Sequence, residues 1–396
     1  MIAQGILPSQ AIGSLIETGA ITAAKPILPG QVQPASLDLR LGARVHRVRA
    51  SFMPGPAATT AEQIERFVLH TIDLSNGAVL ETGCVYVAEI DEQLALPPDV
   101  RGFANPKSST GRLDVFTRMI ADHAPGFDQT VAGYRGRLYL EICPQTFPIL
   151  VRPGSRLSQI RFRGPMAGGI TPHPAPLPQG EGTVLHAPGS IQASLLPEEE
   201  RQDEGWPPRT LHDTLSGDAA PAASLREAVL SVDLSGTGSS ALIGYRAKRH
   251  TGVIDVDRVG AYDVEEFWEP LLVTPQKRLI LDPDEFYILA SKETVSVPPT
   301  YAAEMEPFNA LMGEFRVHYA GFFDPGFGTA ATGGEGSRAV LEVRSHKVPF
   351  ILEDGQIIGR LIYEPLTALP AQLYGQDIGS HYQAQALKLS KHFRQG

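Results

Sequence analysis

The chain has little cysteine, no long apolar run and no excess of basic charge. Its 396 residues include only two cysteines, Cys84 and Cys143, which excludes a disulfide-built fold and any Cys-x-x-Cys metal site. No segment approaches 18 consecutive apolar residues, and the N-terminus lacks a cationic signal sequence, so we expect a cytoplasmic protein without a membrane span. A net charge of −10 argues against a nucleic-acid partner, although a local cluster of donors could still bind a small anion.

Two parts of the chain repeat one sequence pattern about 200 residues apart. Pro97-Pro98 recurs as Pro298-Pro299, and Leu138 to Ile142 recurs as Ala339 to Val343, in both cases after 201 residues. The chain is also longer than a single hydrophobic core usually supports. We therefore predict two similar domains, called copy one and copy two, produced by an internal duplication.

Each copy is predicted to consist mainly of β-structure. Ser36 to Leu41 alternates apolar and polar residues, and Leu157 to Phe162 is a further short strand. Turn signals such as Arg152-Pro153-Gly154 separate these segments. Helical periodicity is scarce after residues 7–20, where a short amphipathic helix is expected. Many short strands with Pro and Gly between them favour a barrel or distorted jelly roll with few short helices.

The composition changes between the copies. Proline accumulates in Pro172 to Pro178, and the whole of residues 164–222 is typical of an exposed linker. A short helix at Leu195 to Asp203 fits within it. The predicted boundaries are 1–163 for copy one, 164–222 for the linker and 223–396 for copy two.

Only copy one carries a segment with the chemistry to bind phosphate. The segment reads Lys107, Ser108, Ser109, Thr110, Gly111 and Arg112. Small hydroxyl donors, backbone amides left accessible by a glycine and two cations can hold phosphate oxygens. The P-loop spacing is absent, and a plain turn is the alternative interpretation. Copy two has mostly apolar residues at the corresponding place, Asn309 to Gly313.

A glutamate occupies the same place in a strand of both copies. Glu141 shares one strand face with Tyr139 and Cys143, and Glu342 takes its place in copy two. A strand glutamate usually faces solvent, but its retention in both copies favours a function. A partly buried carboxyl beside a ligand can have a raised pKa and act as a general base.

Copy two carries two further polar features. Copy one has Ala124 before a Pro-Gly pair, whereas copy two has Asp324 there, in a common turn sequence. Copy two also continues beyond Tyr374 into a polar tail that contains His381 and Gln385. Such a tail can fray, or it can close over a ligand and exclude water.

In this order, the motifs resemble those of the deoxycytidine triphosphate (dCTP) deaminases of the dUTPase-like superfamily. The resemblance covers most of residues 5–163 and, more faintly, residues 224–396. It indicates a double-domain form with two tandem dUTPase-like domains of the β-clip type. The matching positions are Ala35 to Gly42, Ser108 to Arg112, Ala124 to Gly126, Leu140-Glu141, Tyr374 and Gly379 to Gln385.

The resemblance implies metal-free hydrolytic deamination of dCTP to dUTP and ammonia, a step that supplies dUTP and dUMP for dTMP synthesis. In this family a glutamate activates water, an arginine helps to bind and stabilise, and the serine loop holds the triphosphate. Zinc deaminases need a His/Cys/Cys cluster, which two isolated cysteines cannot supply. No protein-bound cofactor is expected, and Mg²⁺ would enter as the counter-ion of the nucleotide. The family also implies a homotrimer and feedback by dTTP.

Carried onto this chain, the arginine is Arg112 and the base is Glu141 or Glu342. Family sites lie between neighbouring subunits, so two arrangements remain. Copy-one domains can pair with one another and use Glu141, or the copy-one loop can face copy two and use Glu342. We favour Glu141, because a trimer of chains can form a ring of copy-one domains. The substrate-binding positions are Lys107, Ser108, Ser109, Thr110, Gly111, Asp324, Tyr374, His381 and Gln385, with His381 standing where the family has lysine.

Two other functions remain open. A bifunctional deaminase and dUTP pyrophosphatase would release dUMP, and Gly252 to Asp257 superficially echoes a pyrophosphatase motif, although far from its expected place. A nucleotide-binding regulator without catalysis would explain the lost loop of copy two. It would not explain why copy one keeps both Arg112 and Glu141.

Overall fold

The computed structural model describes residues 4–166, 226–236, 241–307, 315–318, 321–329, 336–345, 347–375 and 387–394. The predicted linker, with its helix at Leu195 to Asp203, lies almost entirely outside these residues. Short strands dominate both copies, as the sequence predicts.

In copy one, three short helices interrupt a series of strands. The second helix begins with a capping box, because Thr59 and Glu62 each accept a hydrogen bond from the other's backbone N–H. The helices are α1 (Ser9–Glu17), α2 (Thr60–Phe67) and α3 (Ser108–Gly111). The strands are β1 (Gln4–Ile6), β2 (Ile21–Ala23), β3 (Leu37–Leu39), β4 (Leu41–Val48), β5 (Val68–Asp73), β6 (Ala78–Leu80), β7 (Tyr86–Ala95), β8 (Arg101–Pro106), β9 (Val115–Ala121), β10 (Arg135–Pro144), β11 (Ile149–Val151) and β12 (Ser158–Pro165).

Copy two repeats this pattern, with one helix in its described part, α4 (Val264–Phe267). No helix in the described ranges is both long and apolar enough to cross a membrane. The strands are β13 (Arg226–Ser231), β14 (Leu242–Ala247), β15 (Ile254–Asp255), β16 (Trp268–Leu272), β17 (Arg278–Leu281), β18 (Phe286–Val295), β19 (Tyr301–Pro307), β20 (Phe315–His318), β21 (Phe322–Phe323), β22 (Ser337–Ser345), β23 (Phe350–Glu353) and β24 (Ile357–Pro365).

The larger sheets of the two copies have the same strand order. In copy one the order is β5-β4-β7-β10-β9, with β2 attached to β7, and in copy two it is β16-β14-β18-β22-β20. The glutamate strands β10 and β22 thus hold equivalent places. Glu141 lies opposite Arg118 on β9, and Glu342 lies opposite His318 on β20. The fold therefore confirms the duplication and the mainly-β class.

Copy two contributes side chains to the hydrophobic core of copy one, called here the shared core, and has a separate core of its own. The ring of Phe147 in copy one lies 5.4 Å from Trp268 and 5.7 Å from Phe267 in copy two, both in edge-on contacts. Strand β15 of copy two also pairs in parallel with β11 of copy one. Beside it, Arg152 donates to both carboxylate oxygens of Asp255 at 2.7 and 2.9 Å. Aromatic burial and paired backbone therefore fix the copies against each other.

Candidate active site between the two copies

Arg112 of copy one lies beside Glu342 of copy two. The one-turn helix α3 ends at Gly111, and the backbone N–H of the next residue, Arg112, donates to the Ser108 carbonyl at 3.1 Å. The Arg112 side chain is buried, with Nε 3.7 Å from Oε1 of Glu342. Its Nη1 donates to the Lys388 carbonyl at 2.8 Å. The turn that carries the sequence motif of copy one therefore faces the glutamate strand of copy two.

The carboxyl of Glu342 is set up to exchange protons near neutral pH. Glu342 lies on β22 and is only 4% exposed. Burial raises its pKa to about 8, against the opposing effects of the Arg112 charge and of a hydrogen bond from its own backbone amide. A carboxyl with such a pKa can accept a proton and return it at physiological pH. This is the property expected of a general base.

Glu141 of copy one has a different partner. Arg118 on the adjacent strand β9 donates to Oε1 of Glu141 from Nε at 3.0 Å and from Nη2 at 2.6 Å. The guanidinium of Arg118 also lies 3.7 Å from the centre of the Phe127 ring. Glu141 is 1% exposed, so neither strand glutamate faces solvent. The structure therefore brings Arg112 to Glu342, and it brings Arg118 to Glu141.

The segment from Lys107 to Arg112, called here the serine turn, is packed tightly, and its first residues are the most accessible to solvent. Ser109, Thr110 and Gly111 are buried, whereas Lys107 and Ser108 are partly exposed. The amides of Thr110 and Gly111 donate to the Lys107 carbonyl at 2.8 and 3.0 Å. The Lys107 ammonium forms an ion pair with Asp38. Lys107 and Ser108 are therefore the residues at which this turn is most accessible from solvent.

Asp324 and Tyr374 both have contacts at the Pro-Gly turn of copy two. The amide of Tyr374 donates to the Pro325 carbonyl at 2.8 Å. Asp324 is buried and accepts a hydrogen bond at 3.0 Å from Arg161, a β12 residue of copy one. The guanidinium of Arg161 lies 4.0 Å from the centre of the Phe322 ring. This turn is therefore a further contact between the copies. The predicted positions His381 and Gln385 lie outside the described residues.

The last described residues fasten the C-terminal end of the chain to the serine turn. The Ser390 hydroxyl donates to the Ser109 carbonyl at 2.7 Å and contacts Nδ1 of His392 at 2.8 Å. Nε2 of His392 lies 2.9 Å from the Val256 carbonyl. Phe393 packs in the shared core, 5.9 Å from Trp268. Sequence reasoning missed this contact, since 281 residues separate Ser109 from Ser390 and no pattern links them.

The segment Gly252 to Asp257, which resembles a pyrophosphatase motif, forms part of the interface, or joint, between the copies. Asp255 binds Arg152, and Asp257 accepts a hydrogen bond at 2.7 Å from the Ser155 hydroxyl. Both carboxylates therefore have structural partners. The described residues also contain no group of three or more His, Cys, Asp or Glu side chains arranged to hold a metal ion.

Comparison with protein families gives two matches that cover most of the chain. The N-terminal domain of 2'-deoxycytidine 5'-triphosphate deaminase matches residues 3–166, and the C-terminal domain of the same enzyme matches residues 209–393. The crystal structure of 2'-deoxycytidine 5'-triphosphate deaminase from Agrobacterium tumefaciens is 54% identical. It has a TM-score of 0.75 and covers 92% of this chain and 99% of its own.

Curated relatives match a shorter part. The dCTP deaminase of Halorubrum lacusprofundi is 31% identical over 134 residues, which are 33% of this chain and 63% of that protein. The dUMP-forming dCTP deaminase of Halobacterium salinarum is 33% identical over 127 residues, which are 31% of this chain and 60% of that protein. The chain thus spans about three fifths of the length of these relatives.

Proposed function

Because the chain belongs to the 2'-deoxycytidine 5'-triphosphate deaminase family, we propose that it hydrolyses dCTP to dUTP and ammonia at a site between its two copies. The observation that carries this proposal is the buried pair of Arg112 and Glu342. The pair combines the Arg112 cation of copy one with the Glu342 carboxyl of copy two, whose pKa is raised. Such a pair suits a reaction that needs both charge stabilisation and proton transfer.

In this proposal Glu342 is the general base. It takes a proton from water while the water oxygen bonds to C4 of the cytosine ring. It then returns a proton to the exocyclic nitrogen, the C4–N bond breaks and ammonia leaves, while the remaining water proton moves from the C4 hydroxyl to N3 to give the uracil ring. The charge of Arg112 stabilises the ionised carboxylate of Glu342 and so opposes the effect of burial on the pKa of Glu342. No redox partner is needed, because water supplies the oxygen and the protons are conserved.

The remaining predicted positions are proposed to hold the substrate. The triphosphate is assigned to the serine turn, where Lys107 and Ser108 are partly exposed. Asp324 and Tyr374 are assigned to substrate contacts from copy two, together with His381 and Gln385. We propose that no protein-bound metal takes part and that Mg²⁺ accompanies the nucleotide. A cytoplasmic homotrimer with dTTP feedback completes the proposal by analogy with the family.

The decisive experiment compares two matched variants. Purified wild-type protein is incubated with dCTP, CTP and dUTP plus Mg²⁺, and the ammonia and nucleotide products are identified. We expect ammonia and dUTP from dCTP. Glu342→Gln should lower kcat by about 100-fold or more, the usual contribution of a general base, whereas Glu141→Gln should keep most of the activity. Full activity of Glu342→Gln would refute the assignment of the base. Binding of dCTP without any turnover would point to a regulator.

A dUMP-forming reaction is the second candidate, because relatives such as that of Halobacterium salinarum carry this name. Pyrophosphate measured beside ammonia in the same assay separates the two. Equal amounts of both products, with dUMP, would establish the bifunctional reaction, and ammonia with dUTP would establish deamination alone.

Prior treatment with a zinc-selective chelator tests the metal-free proposal, since loss of activity would contradict it.

A further inference from the structure

A further ion pair between the copies lies two residues away from the Arg112–Glu342 pair in both segments. Asp114 follows Arg112 in copy one, and Arg344 follows Glu342 on β22. Nη2 of Arg344 binds the Asp114 carboxylate and contacts the Thr146 hydroxyl at 3.1 Å. That hydroxyl in turn donates to Asp114 at 2.5 Å. In copy one the cation precedes the anion, whereas on β22 the anion precedes the cation. Each charged residue of one segment therefore has an oppositely charged partner in the other segment.

The groups of this second pair are held firmly. Asp114 is 1% exposed and has a left-handed backbone with φ of 56°. Its amide donates to the Gly111 carbonyl at 2.9 Å, and its carbonyl accepts from the Gln145 amide at 2.9 Å. Arg344 also donates from Nη1 to the Asp284 carbonyl at 2.9 Å. Because residues two apart in a strand point to one face, Arg344 and Glu342 both face copy one.

Copy one lacks this charge pattern on its own glutamate strand. The residue two positions after Glu141 is Cys143, which cannot form such an ion pair. Glu141 is instead occupied by Arg118 of the same sheet. The cation that binds Asp114 is therefore specific to the strand of copy two.

We propose that Asp114 and Arg344 are positioning residues that hold Arg112 against Glu342 and so select copy two as the partner of the copy-one turn. The kinetic part of this inference rests on the proposed function, but the placement of Arg112 does not. Only one residue, Leu113, separates Arg112 from Asp114, so a displaced Asp114 carries α3 and Arg112 with it. In the described part of the chain, Arg112 lies beside Glu342 and donates to the Lys388 carbonyl, and the strand register places Glu342 opposite His318 of β20 and Ile288 of β18.

The test measures the titration of Glu342 without substrate. Infrared difference spectra between pH values, with those of Glu342→Gln subtracted, report this single carboxyl. In Arg344→Gln and Asp114→Asn we expect its pKa to rise by about one unit, since an opposite charge within about 4 Å normally lowers a carboxyl pKa by one unit or more. Arg344→Lys, which keeps a cation, should restore at least half of the change.

A matched control separates positioning from general weakening of the joint. Arg152→Gln breaks a different ion pair between the copies, with Asp255, and should leave the titration of Glu342 unchanged. In the dCTP assay, Arg344→Gln and Asp114→Asn should lower kcat by about 10- to 100-fold and change KM less, as a displacement of about 1 Å would. Unchanged titration in folded Arg344→Gln and Asp114→Asn would overturn the inference, even if the wild type proves inactive on dCTP. Equal shifts in Arg152→Gln would also overturn it.

Discussion

Ionisation of Glu342 should make the protein less stable as the pH rises. Burial raises the pKa of this carboxyl from an ordinary value of 4.5 to about 8. The folded protein therefore binds more protons than the unfolded chain between these pH values. The contribution of Glu342 to stability is fully present below about pH 4.5 and is lost as the pH rises towards 8.

The size of the effect follows from the pKa difference. Each unit is worth about 1.4 kcal/mol, so the whole range corresponds to about 5 kcal/mol. Between pH 5 and pH 8 the free energy of unfolding should therefore fall by about 3 to 4 kcal/mol more in the wild type than in Glu342→Gln. The glutamine has the same shape and cannot ionise. Groups that titrate equally in both proteins cancel in this comparison.

Urea unfolding at pH 5 and pH 8 measures the difference directly. Glu141→Gln is the matched control, because it changes the equivalent strand position of copy one. It removes a carboxylate that Arg118 holds, so we expect lower stability at both pH values. If wild type and Glu342→Gln lose the same stability between the two pH values, the raised pKa of Glu342 and the argument from it are wrong.

Two further predictions concern the surroundings of the site. Arg118→Met leaves the buried carboxylate of Glu141 without its cation and should lower the free energy of unfolding by about 3 to 5 kcal/mol in urea titrations, while the kcat of the folded fraction stays within about twofold. A large loss of kcat would indicate that Glu141 takes part in the reaction. Phe393→Ala removes an aromatic side chain from the shared core and should cost about 3 to 5 kcal/mol of stability. It should also lower kcat, because the segment with the Lys388 carbonyl holds Arg112; unchanged kcat would contradict that role.

Several features of the fold were predictable because they depend on local sequence. Alternation in Ser36 to Leu41 and the repeated strand around Glu141 and Glu342 gave short strands, since the side-chain period of a strand is visible within a few residues. The spacing of 201 residues gave the duplication. Chemical composition was enough to identify the serine turn as the candidate phosphate site.

Partners distant in the chain were not predictable in this way. The local sequence around Arg118 does not show that it lies opposite Glu141, because that place depends on strand register. Asp114 and Arg344 are 230 residues apart. Nothing in either segment alone shows that they meet, because the contact depends on packing of the whole joint between the copies.

By itself the sequence determined the duplicated mainly-β scaffold, the turn with Arg112 and the two candidate glutamates. Only the tertiary structure decided which glutamate lies beside Arg112. The two glutamates stand in the same apolar Leu-Glu strand pattern, and local sequence sets only local conformation. Two long-range interactions decide which glutamate lies beside Arg112. Arg118 forms an ion pair with Glu141, and the Asp114–Arg344 pair holds the Arg112 turn against Glu342.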